Sequence, residues 1–288
     1  YPELTLDDLV VPKLTLHAIQ DFLAYQKHKS LIFDDWGFSE THQNKQQIAI
    51  NLYGLPGTGK TMAAHAIANA LKKPLIAVNY SEIESKYVGE TSKNISALFE
   101  RAKDSNAIIF FDEADAMLSR RVTDMSSATD VSVNQTRSVL LTLMNNHEGL
   151  IIFTTNFVEN YDPAFMRRIL SHILFELPCI ESRERLWRRY IPQKLPINTD
   201  IRSLAETSDG LSGSDISNCV LKAALSAARS GDSSVKSSHF ENAIKEVKAS
   251  QNANKNSTYS LPSEVIKERV VSEHYVKSQL NTHQGFKE

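Results

Sequence analysis

Runs of apolar residues long enough for buried strands alternate with segments of helical spacing through the first 177 residues. The strand-like runs are residues 48–53, 74–79, 107–111, 149–156 and 173–177. The helical segments among them are residues 62–71, 92–103, 133–145 and 162–169. Because strands joined by helices form parallel sheets, this alternation predicts an α/β fold with a parallel sheet and helices on both of its faces.

The pattern changes after Pro178, where only helical segments follow. We therefore predict a large α/β domain over residues 1–177 and a small all-helical domain over 178–249. Residues 250–260 are rich in Asn, Ser and Lys, which is typical of a linker. Residues 264–280 have the spacing of one more helix, so 250–288 are predicted to be a linker with a C-terminal helix or tail.

The stretch between the first strand and the helix after it satisfies the pattern G-x-x-x-x-G-K-[ST]. A glycine-rich turn could match by chance, but the strand before the loop and the helix after it are the setting that phosphate binding requires. Lys60 would reach the β- and γ-phosphates, and the Thr61 hydroxyl would ligate Mg²⁺. The residues predicted to bind the triphosphate are Gly54, Pro56, Gly57, Thr58, Gly59, Lys60, Thr61 and Met62.

Two carboxylates follow the most apolar of the predicted strands, residues 107–111. Ligands of open α/β sheets bind at the carboxyl ends of the strands, so Asp112 and Glu113 are expected beside the phosphate loop. Asp112 would hold Mg²⁺ together with Thr61, and Glu113 would orient and polarise the attacking water. An acidic first turn of a helix is the alternative, and it accounts well for Asp115.

Composition and charge restrict the classes of protein that the chain can belong to. Hydrophobic residues make up 41% and charged residues 23% of its 288 residues, as in soluble globular proteins. A formal net charge of −2 argues against a general attraction to nucleic acid, and no apolar run has the length of a membrane helix. A region before Tyr1 could add an anchor. Cys179 and Cys219 lack metal-site spacing, so we predict reduced, buried thiols and a cytoplasmic location.

As an ordered set, these motifs resemble those of the AAA+ ATPases, and within them the group that includes katanin, spastin and the FtsH-type proteases. Residues 54–61 resemble the Walker A motif, and residues 108–113 resemble Walker B. Asn156, which would otherwise be interpreted as a turn residue, falls at the family's sensor 1 position, and 156–168 resemble its second region of homology. The resemblance covers about residues 6–248 and implies ATP and Mg²⁺ as ligands and ATP hydrolysis as the activity.

Arg167 and Arg168 precede the last predicted strand and, from the residues alone, are a solvated helix end. The resemblance implies instead that both act in the nucleotide site of a neighbouring subunit, where they supply positive charge to the transition state. It therefore implies a homo-oligomer, most simply a hexamer, with ATP at the subunit interfaces.

The helical region resembles the AAA lid, in which Gly213 and Ser214 match a motif whose backbone lies near adenine. Residues 8–10 fall where the family's N-terminal turn flanks the base. Val10 and Val11 stand where the family usually has glycines after the acidic pair, and Leu55 stands where it usually has proline.

Residues 86–90, Lys-Tyr-Val-Gly-Glu, follow the second strand and resemble the family's first pore loop. The resemblance implies that Tyr87 and Val88 grip a polypeptide in a central channel, whereas a tyrosine at such a turn is otherwise expected to be buried. The polar residues 120–130 are the candidate second pore loop.

These observations predict an ATP-hydrolysing AAA motor that assembles into a ring and remodels, unfolds or threads a protein partner. Two alternatives remain open. One is an ATP-dependent assembly switch or scaffold in a signalling or defence complex, and the other is an AAA+ ATPase that acts on nucleic acid. The charge balance and the aromatic pore motif argue against nucleic acid as the partner.

Overall fold

The computed structural model describes residues 2–41, 48–79, 91–119, 128–156 and 161–256, which contain a five-stranded parallel sheet, its covering helices and a helical region. The strands of the sheet are β1 (Ile48–Gly54), β2 (Leu75–Asn79), β3 (Ile108–Asp112), β4 (Leu150–Thr155) and β5 (Ile169–Phe175). Their order is β2-β3-β4-β1-β5. The helices of this part are α1 (Lys13–Lys27), α2 (Phe38–Thr41), α3 (Lys60–Ala70), α4 (Thr91–Asp104), α5 (Asp115–Leu118), α6 (Ala128–Asn146) and α7 (Pro163–Met166). A 3₁₀ turn (Leu6–Asp8) precedes α1.

The consecutive apolar residues of β3 divide between the two faces of the sheet because side chains alternate along a strand. Ile109 and Phe111 pack into the cluster covered by α4 and α6, and Ile108 and Phe110 pack into the cluster covered by α1 and α3. Phe111 stacks on Phe153 of β4 with 5.3 Å between ring centroids. The prediction of a parallel sheet with helices on both faces is therefore confirmed.

The helical region after residue 178 has its own hydrophobic cluster. Its elements are α8 (Ile180–Tyr190), β6 (Ile197–Asn198), α9 (Ile201–Thr207), α10 (Gly213–Ser230), β7 (Val235–Lys236) and α11 (Ser237–Asn256). The short parallel pair β6–β7 was not predicted, because two residues are too few to give a periodic pattern. Cys219 is buried as predicted, whereas Cys179 is exposed and its thiol donates to the Ser182 hydroxyl at 3.4 Å.

Several element boundaries differ from the prediction, and helix α6, for example, begins at Ala128 rather than at residue 133. The last strand of the sheet begins at Ile169 rather than at residue 173, because helix α7, capped by Asp162, ends at Met166. Helix α11 continues through Asn256, so the polar stretch predicted as a linker from residue 250 begins as helix.

The chain divides into two compact units, Tyr1–Val247 and Lys248–Glu288, so the sheet and most of the helical region belong to the same unit. Of the second unit the structure describes only residues 248–256, the last turns of α11. Among the described helices, none combines the length and the apolar character that crossing a membrane requires.

Replacing Trp187 with Phe should lower the free energy of unfolding by about 2 kcal/mol. The Trp187 ring is fully buried, packs edge-to-face on Phe240 and donates from Nε1 to the Ser208 hydroxyl at 3.0 Å. Urea unfolding followed by circular dichroism measures the change. The matched control is Trp36→Phe, whose side chain is 64% exposed and which should change stability by less than about 0.5 kcal/mol. Equal effects of the two substitutions would contradict this account of the helical core.

Candidate functional site

The loop between β1 and α3 surrounds the ammonium group of Lys60. Lys60 Nζ donates to the carbonyl oxygens of Gly54 at 2.7 Å and Leu55 at 3.0 Å, and to Asn156 Oδ1 at 3.0 Å. Gly59, at φ +99°, occupies the N-cap position and turns the chain into α3. The loop thus places the positive charge of Lys60 at the N-terminus of a helix, an arrangement that favours anions.

The Lys60 side chain is largely buried, and burial lowers its pKa. The carboxylates of Asp115, Asp112 and Glu113 act in the opposite direction and raise this pKa. Lys60 therefore lies near the three carboxylates at the carboxyl end of β3, where the sequence predicts the site.

Asp112, the last residue of β3, connects the phosphate loop to β4. Its carboxylate accepts from the Thr61 hydroxyl, with oxygen–oxygen distances of 3.1 and 3.3 Å, and from the Thr154 hydroxyl. Thr154 is only 1% exposed. Thr154 is not among the residues that the sequence predicts for the site, although the polar residues that end its strand are a signal.

Glu113 lies in a tight turn directly after β3 and is exposed. Its φ of +52° is in the left-handed region, which is uncommon for a residue with a side chain and is found at functional sites. Thr154 holds this turn from β4: its hydroxyl accepts from the Glu113 N–H at 3.1 Å, and its carbonyl accepts from the Ala114 N–H at 2.8 Å. Glu113 is thereby exposed at the carboxyl end of β3.

A cavity of about 280 Å³ opens beside the phosphate loop. It is lined by loop and α3 residues, by the N-terminal segment and by the helical region: Asp8, Val10, Pro12, Gly57, Thr58, Gly59, Lys60, Thr61, Met62, Glu176, Pro178, Leu186, Arg189, Tyr190, Gly213 and Ser214. Of the predicted triphosphate-binding residues, Gly54 and Pro56 do not line it. The carbonyl of Gly54 instead binds Lys60, and Pro56 is exposed.

The helical region contacts the phosphate loop directly at Gly57. The Ser214 N–H donates to the Gly57 carbonyl at 3.3 Å, and Gly57 has a φ of +76°. A Cβ atom at Gly57 would lie 2.6 Å from Ser212 Oγ and 2.9 Å from Ser214, so only glycine fits. Gly213 and Ser214, predicted from the resemblance to lie near the base, therefore form part of the cavity wall.

Arg167 and Arg168 lie beside the amino-terminal ends of the strands, whereas the phosphate loop lies at the carboxyl ends. They precede Ile169, which pairs with Ala49, whereas the phosphate loop begins after Gly54, which pairs with Phe175. The six steps between the seven residues of β5, at about 3.3 Å each, separate the two ends by roughly 20 Å. The arginines therefore cannot serve the phosphate loop of their own chain.

The two arginines differ in their surroundings, although both line a second cavity of about 600 Å³. Arg168 donates from Nε to Asn145 Oδ1 at 2.6 Å and from Nη1 to the Ala164 carbonyl at 2.7 Å. Arg167 is exposed, with its side chain at the surface.

Comparison with known protein families matches both parts of the chain. Residues 50–177 match the model of the ATPase family associated with various cellular activities (AAA), and residues 198–242 match the model of the AAA+ lid domain. The chain contains an AAA ATPase domain followed by an AAA+ lid domain. The AAA match ends at residue 177, where the sequence pattern changes from α/β to helical.

Relatives of this AAA chain include proteasome-activating nucleotidases of archaea. The one of Methanocella arvoryzae is 35% identical over 209 residues, which are 70% of this chain and 50% of the relative. The one of Sulfurisphaera tokodaii is 36% identical over 214 residues, which are 71% of this chain and 54% of the relative. The chain thus spans about half the length of the curated relatives that it matches.

A crystal structure of the FIGL-1 AAA domain has the same fold, with a TM-score of 0.71. The similarity covers 88% of this chain and 89% of that domain, at 23% sequence identity. This comparison concerns the fold of the AAA domain with its lid.

Asp115 holds the residue at the sensor 1 position of this AAA domain. Both of its carboxylate oxygens accept from the Asn156 N–H, at 3.0 and 3.1 Å. Asn156 in turn accepts from Lys60, so Asp115, Asn156 and Lys60 form a chain of contacts across β3, β4 and the phosphate loop. From the sequence alone Asp115 is explained only as an acidic helix start, because a contact across 41 residues leaves no periodic signal.

Replacing Asp115 with Ala should lower kcat for ATP hydrolysis about tenfold, because Asn156 loses the acceptor that fixes its backbone. Asp115→Asn keeps an acceptor oxygen at this position, so its kcat should be closer to that of the wild type. Steady-state phosphate release measures both variants. A kcat for Asp115→Ala equal to that of the wild type would show that this contact does not position Asn156.

The predicted pore-loop residues Tyr87 and Val88 lie outside the described residues, as does the greater part of the candidate second pore loop, residues 120–127. Their role in this AAA protein stays a prediction.

Proposed function

We propose that this protein binds ATP with Mg²⁺ in the cavity beside the phosphate loop and hydrolyses it. The observation that carries the proposal is the convergence of Lys60, Thr61, Asp112 and Asn156 through hydrogen bonds at one edge of the sheet. These residues come from three separate parts of the chain, and each has the chemistry that triphosphate hydrolysis requires.

In this proposal Lys60 leaves its backbone partners for the β- and γ-phosphates, whose negative charge compensates for its burial. Asn156, now the acceptor of Lys60, is placed to contact the γ-phosphate or the attacking water. The exposed carboxylate of Glu113 accepts a proton from that water as it attacks.

Thr61 at the start of α3 and Asp112 at the end of β3 fit a magnesium ion. Thr61 and Asp112 present a hydroxyl and a carboxylate within 3.1 Å of each other, and oxygen ligands are those that Mg²⁺ prefers. Among the described residues, no group of three or more His, Cys, Asp or Glu side chains could hold a metal ion alone. The ion would therefore share its coordination with the phosphates, whose charge it neutralises.

We further propose that the protein forms a ring, most simply a hexamer, in which Arg167 and Arg168 complete the nucleotide site of the neighbouring subunit. The separation of about 20 Å between these arginines and the phosphate loop of the same chain supports this arrangement. The protein remodels, unfolds or threads a protein partner, which is supported by its similarity to proteasome-activating nucleotidases and by the sequence around Tyr87.

Phosphate release and molar mass by light scattering, each with and without ATP and Mg²⁺, test the proposal. We expect hydrolysis that requires Mg²⁺ and a mass near that of six copies when ATP is present. A chain that binds ATP but stays a monomer would contradict the assignment of the arginines. A chain that does not bind ATP would refute the proposal entirely.

Replacing Tyr87 with Ala should leave basal ATP hydrolysis unchanged and abolish work on a protein substrate. The measurement is the unfolding of a tagged model protein that is prevented from refolding. Unchanged unfolding by Tyr87→Ala would favour an ATP-dependent switch or scaffold. A steeply salt-dependent affinity for DNA or RNA would favour a nucleic-acid partner.

A further inference from the structure

A side chain of the helical region after residue 178, which contains the AAA+ lid match and is called the lid below, holds the N-terminal turn beside the cavity at the phosphate loop. Arg189, near the end of α8, donates from Nη1 to the carbonyl oxygen of Asp8 at 2.6 Å and from Nη2 to the Asp8 carboxylate at 3.3 Å. The two residues are 181 positions apart in the chain. A planar guanidinium group can make both bonds at once, which a lysine cannot do with the same geometry.

The segment after Asp8 is packed between two hydrophobic clusters. Leu9 and Val11 are buried in the cluster under α1 and α3, whereas Val10 packs against the cluster of the lid. Alternating side chains of one extended segment therefore join the sheet to the lid. The valines that replace the family's usual glycines make this packing possible, since glycine has no side chain to bury.

Asp8 is also held from the N-terminal side. Its carboxylate accepts from the Thr5 N–H and the Thr5 hydroxyl, each at 2.8 Å. These bonds, with a further contribution from Arg189, hold the pKa of Asp8 below its usual value. The turn is therefore fixed from both directions, with Arg189 as its link to the lid.

Asp8, Val10 and Arg189 line the same cavity as Lys60 and Thr61 but form a different part of its wall. Lys60 donates to Asn156 and Thr61 donates to Asp112, so the groups suited to phosphate and Mg²⁺ meet at the carboxyl end of β3, and the phosphates belong at that end. A triphosphate bound there must extend its nucleoside along the remaining wall, which the N-terminal turn and the lid provide.

We propose that Arg189 is a positioning residue for the nucleoside: by holding Asp8, it fixes the N-terminal turn against the lid and preforms this part of the cavity. The inference rests on the proposed function. A preformed wall strengthens binding because the ligand need not order it. Loss of Arg189 should therefore weaken the binding of ligands that carry a nucleoside and leave the binding of a bare chain of phosphates unchanged.

The test measures dissociation constants of ADP and of inorganic tripolyphosphate, each with Mg²⁺, by calorimetry. Arg189→Ala should raise the Kd of ADP about tenfold and leave that of tripolyphosphate within about twofold. The matched control is Arg188→Ala, the adjacent arginine, which is 61% exposed and pairs with Glu184 on its own helix. The control should change neither constant.

Two further variants separate positioning from charge. Arg189→Lys keeps the charge but not the fork, so it should raise the Kd of ADP about threefold. Asp8→Asn keeps the backbone carbonyl that accepts from Arg189 but replaces the carboxylate. Added to Arg189→Ala, it should raise the Kd of ADP no further, because the two residues act as a pair.

If Arg189→Ala raised the Kd of ADP and of tripolyphosphate equally, the inference would be overturned, since the effect would be one of charge or of overall folding. No weakening of either ligand would overturn it as well. If the wild type bound tripolyphosphate but not ADP, the proposed function would fail instead, and the comparison of variants would show this separately.

Discussion

Replacing Glu113 with Gln is expected to reduce kcat for ATP hydrolysis by at least about a hundredfold, while the affinity for ATP stays within about twofold of the wild type. The substitution removes the carboxylate that accepts a proton and keeps nearly the same shape. Glu113 binds β4 through its backbone N–H, which the variant retains, so the turn at φ +52° should keep its conformation. The side chain is exposed, so the free energy of unfolding should not change.

Phosphate release gives kcat, and calorimetry with ATP gives the affinity of the variant. Glu100→Gln, an exposed glutamate on α4, is the matched control and should hydrolyse ATP at the wild-type rate. Light scattering adds a second readout, because a variant that binds ATP without hydrolysing it should accumulate the assembled form. Hydrolysis by Glu113→Gln at the wild-type rate would show that another group activates the water.

The sheet could be predicted from the sequence because each of its strands is a short apolar run with a helix or a loop on either side. In β3, four apolar residues in succession are buried on both faces, and this pattern indicates a parallel strand. The start of β5 could not be predicted, because Asp162 and Pro163 begin a helix in the same way whether it lasts four residues or eight. Its length is decided by pairing of Ile169 with β1, which is a tertiary contact.

The site was predictable where its residues are adjacent in the chain. Lys60 and Thr61 follow a glycine loop, and Asp112 and Glu113 end a strand, so local patterns identify them. Thr154 could not be assigned a role in this way, since it binds Asp112 across 42 residues. Arg189 is a stronger example, because its partner Asp8 lies 181 residues away and nothing in either segment indicates the other.

In the proposed ring, replacing Arg167 with Ala is expected to lower kcat by a factor on the order of 10³, because an arginine supplied by a neighbouring subunit would stabilise the charge of the transition state. Arg167 is exposed beside the amino-terminal ends of the strands, at the end of the sheet opposite the phosphate loop. Its loss should change neither the affinity of the isolated chain for ATP nor its melting temperature. Phosphate release, calorimetry and thermal unfolding measure these three quantities.

Arg168→Ala separates the catalytic contribution from a structural one. Arg168 donates to Asn145 and to the Ala164 carbonyl, so its loss removes bonds between α6 and the turn after α7. We expect the melting temperature to fall in this variant and not in Arg167→Ala. A fall in both, or in neither, would contradict the different surroundings of the two arginines.

Mixing variants shows in which chain the arginine acts. A subunit with Arg167→Ala retains Glu113, and a subunit with Glu113→Gln retains Arg167, so each lacks what the other supplies. If the arginine completes a neighbour's site, some interfaces of a mixed ring contain one intact glutamate and one intact arginine, and hydrolysis should exceed that of either variant alone. If the arginine acted within its own chain, mixing could only average two inactive proteins. The roughly 20 Å between Arg168 and the phosphate loop of the same chain leads us to expect the first result.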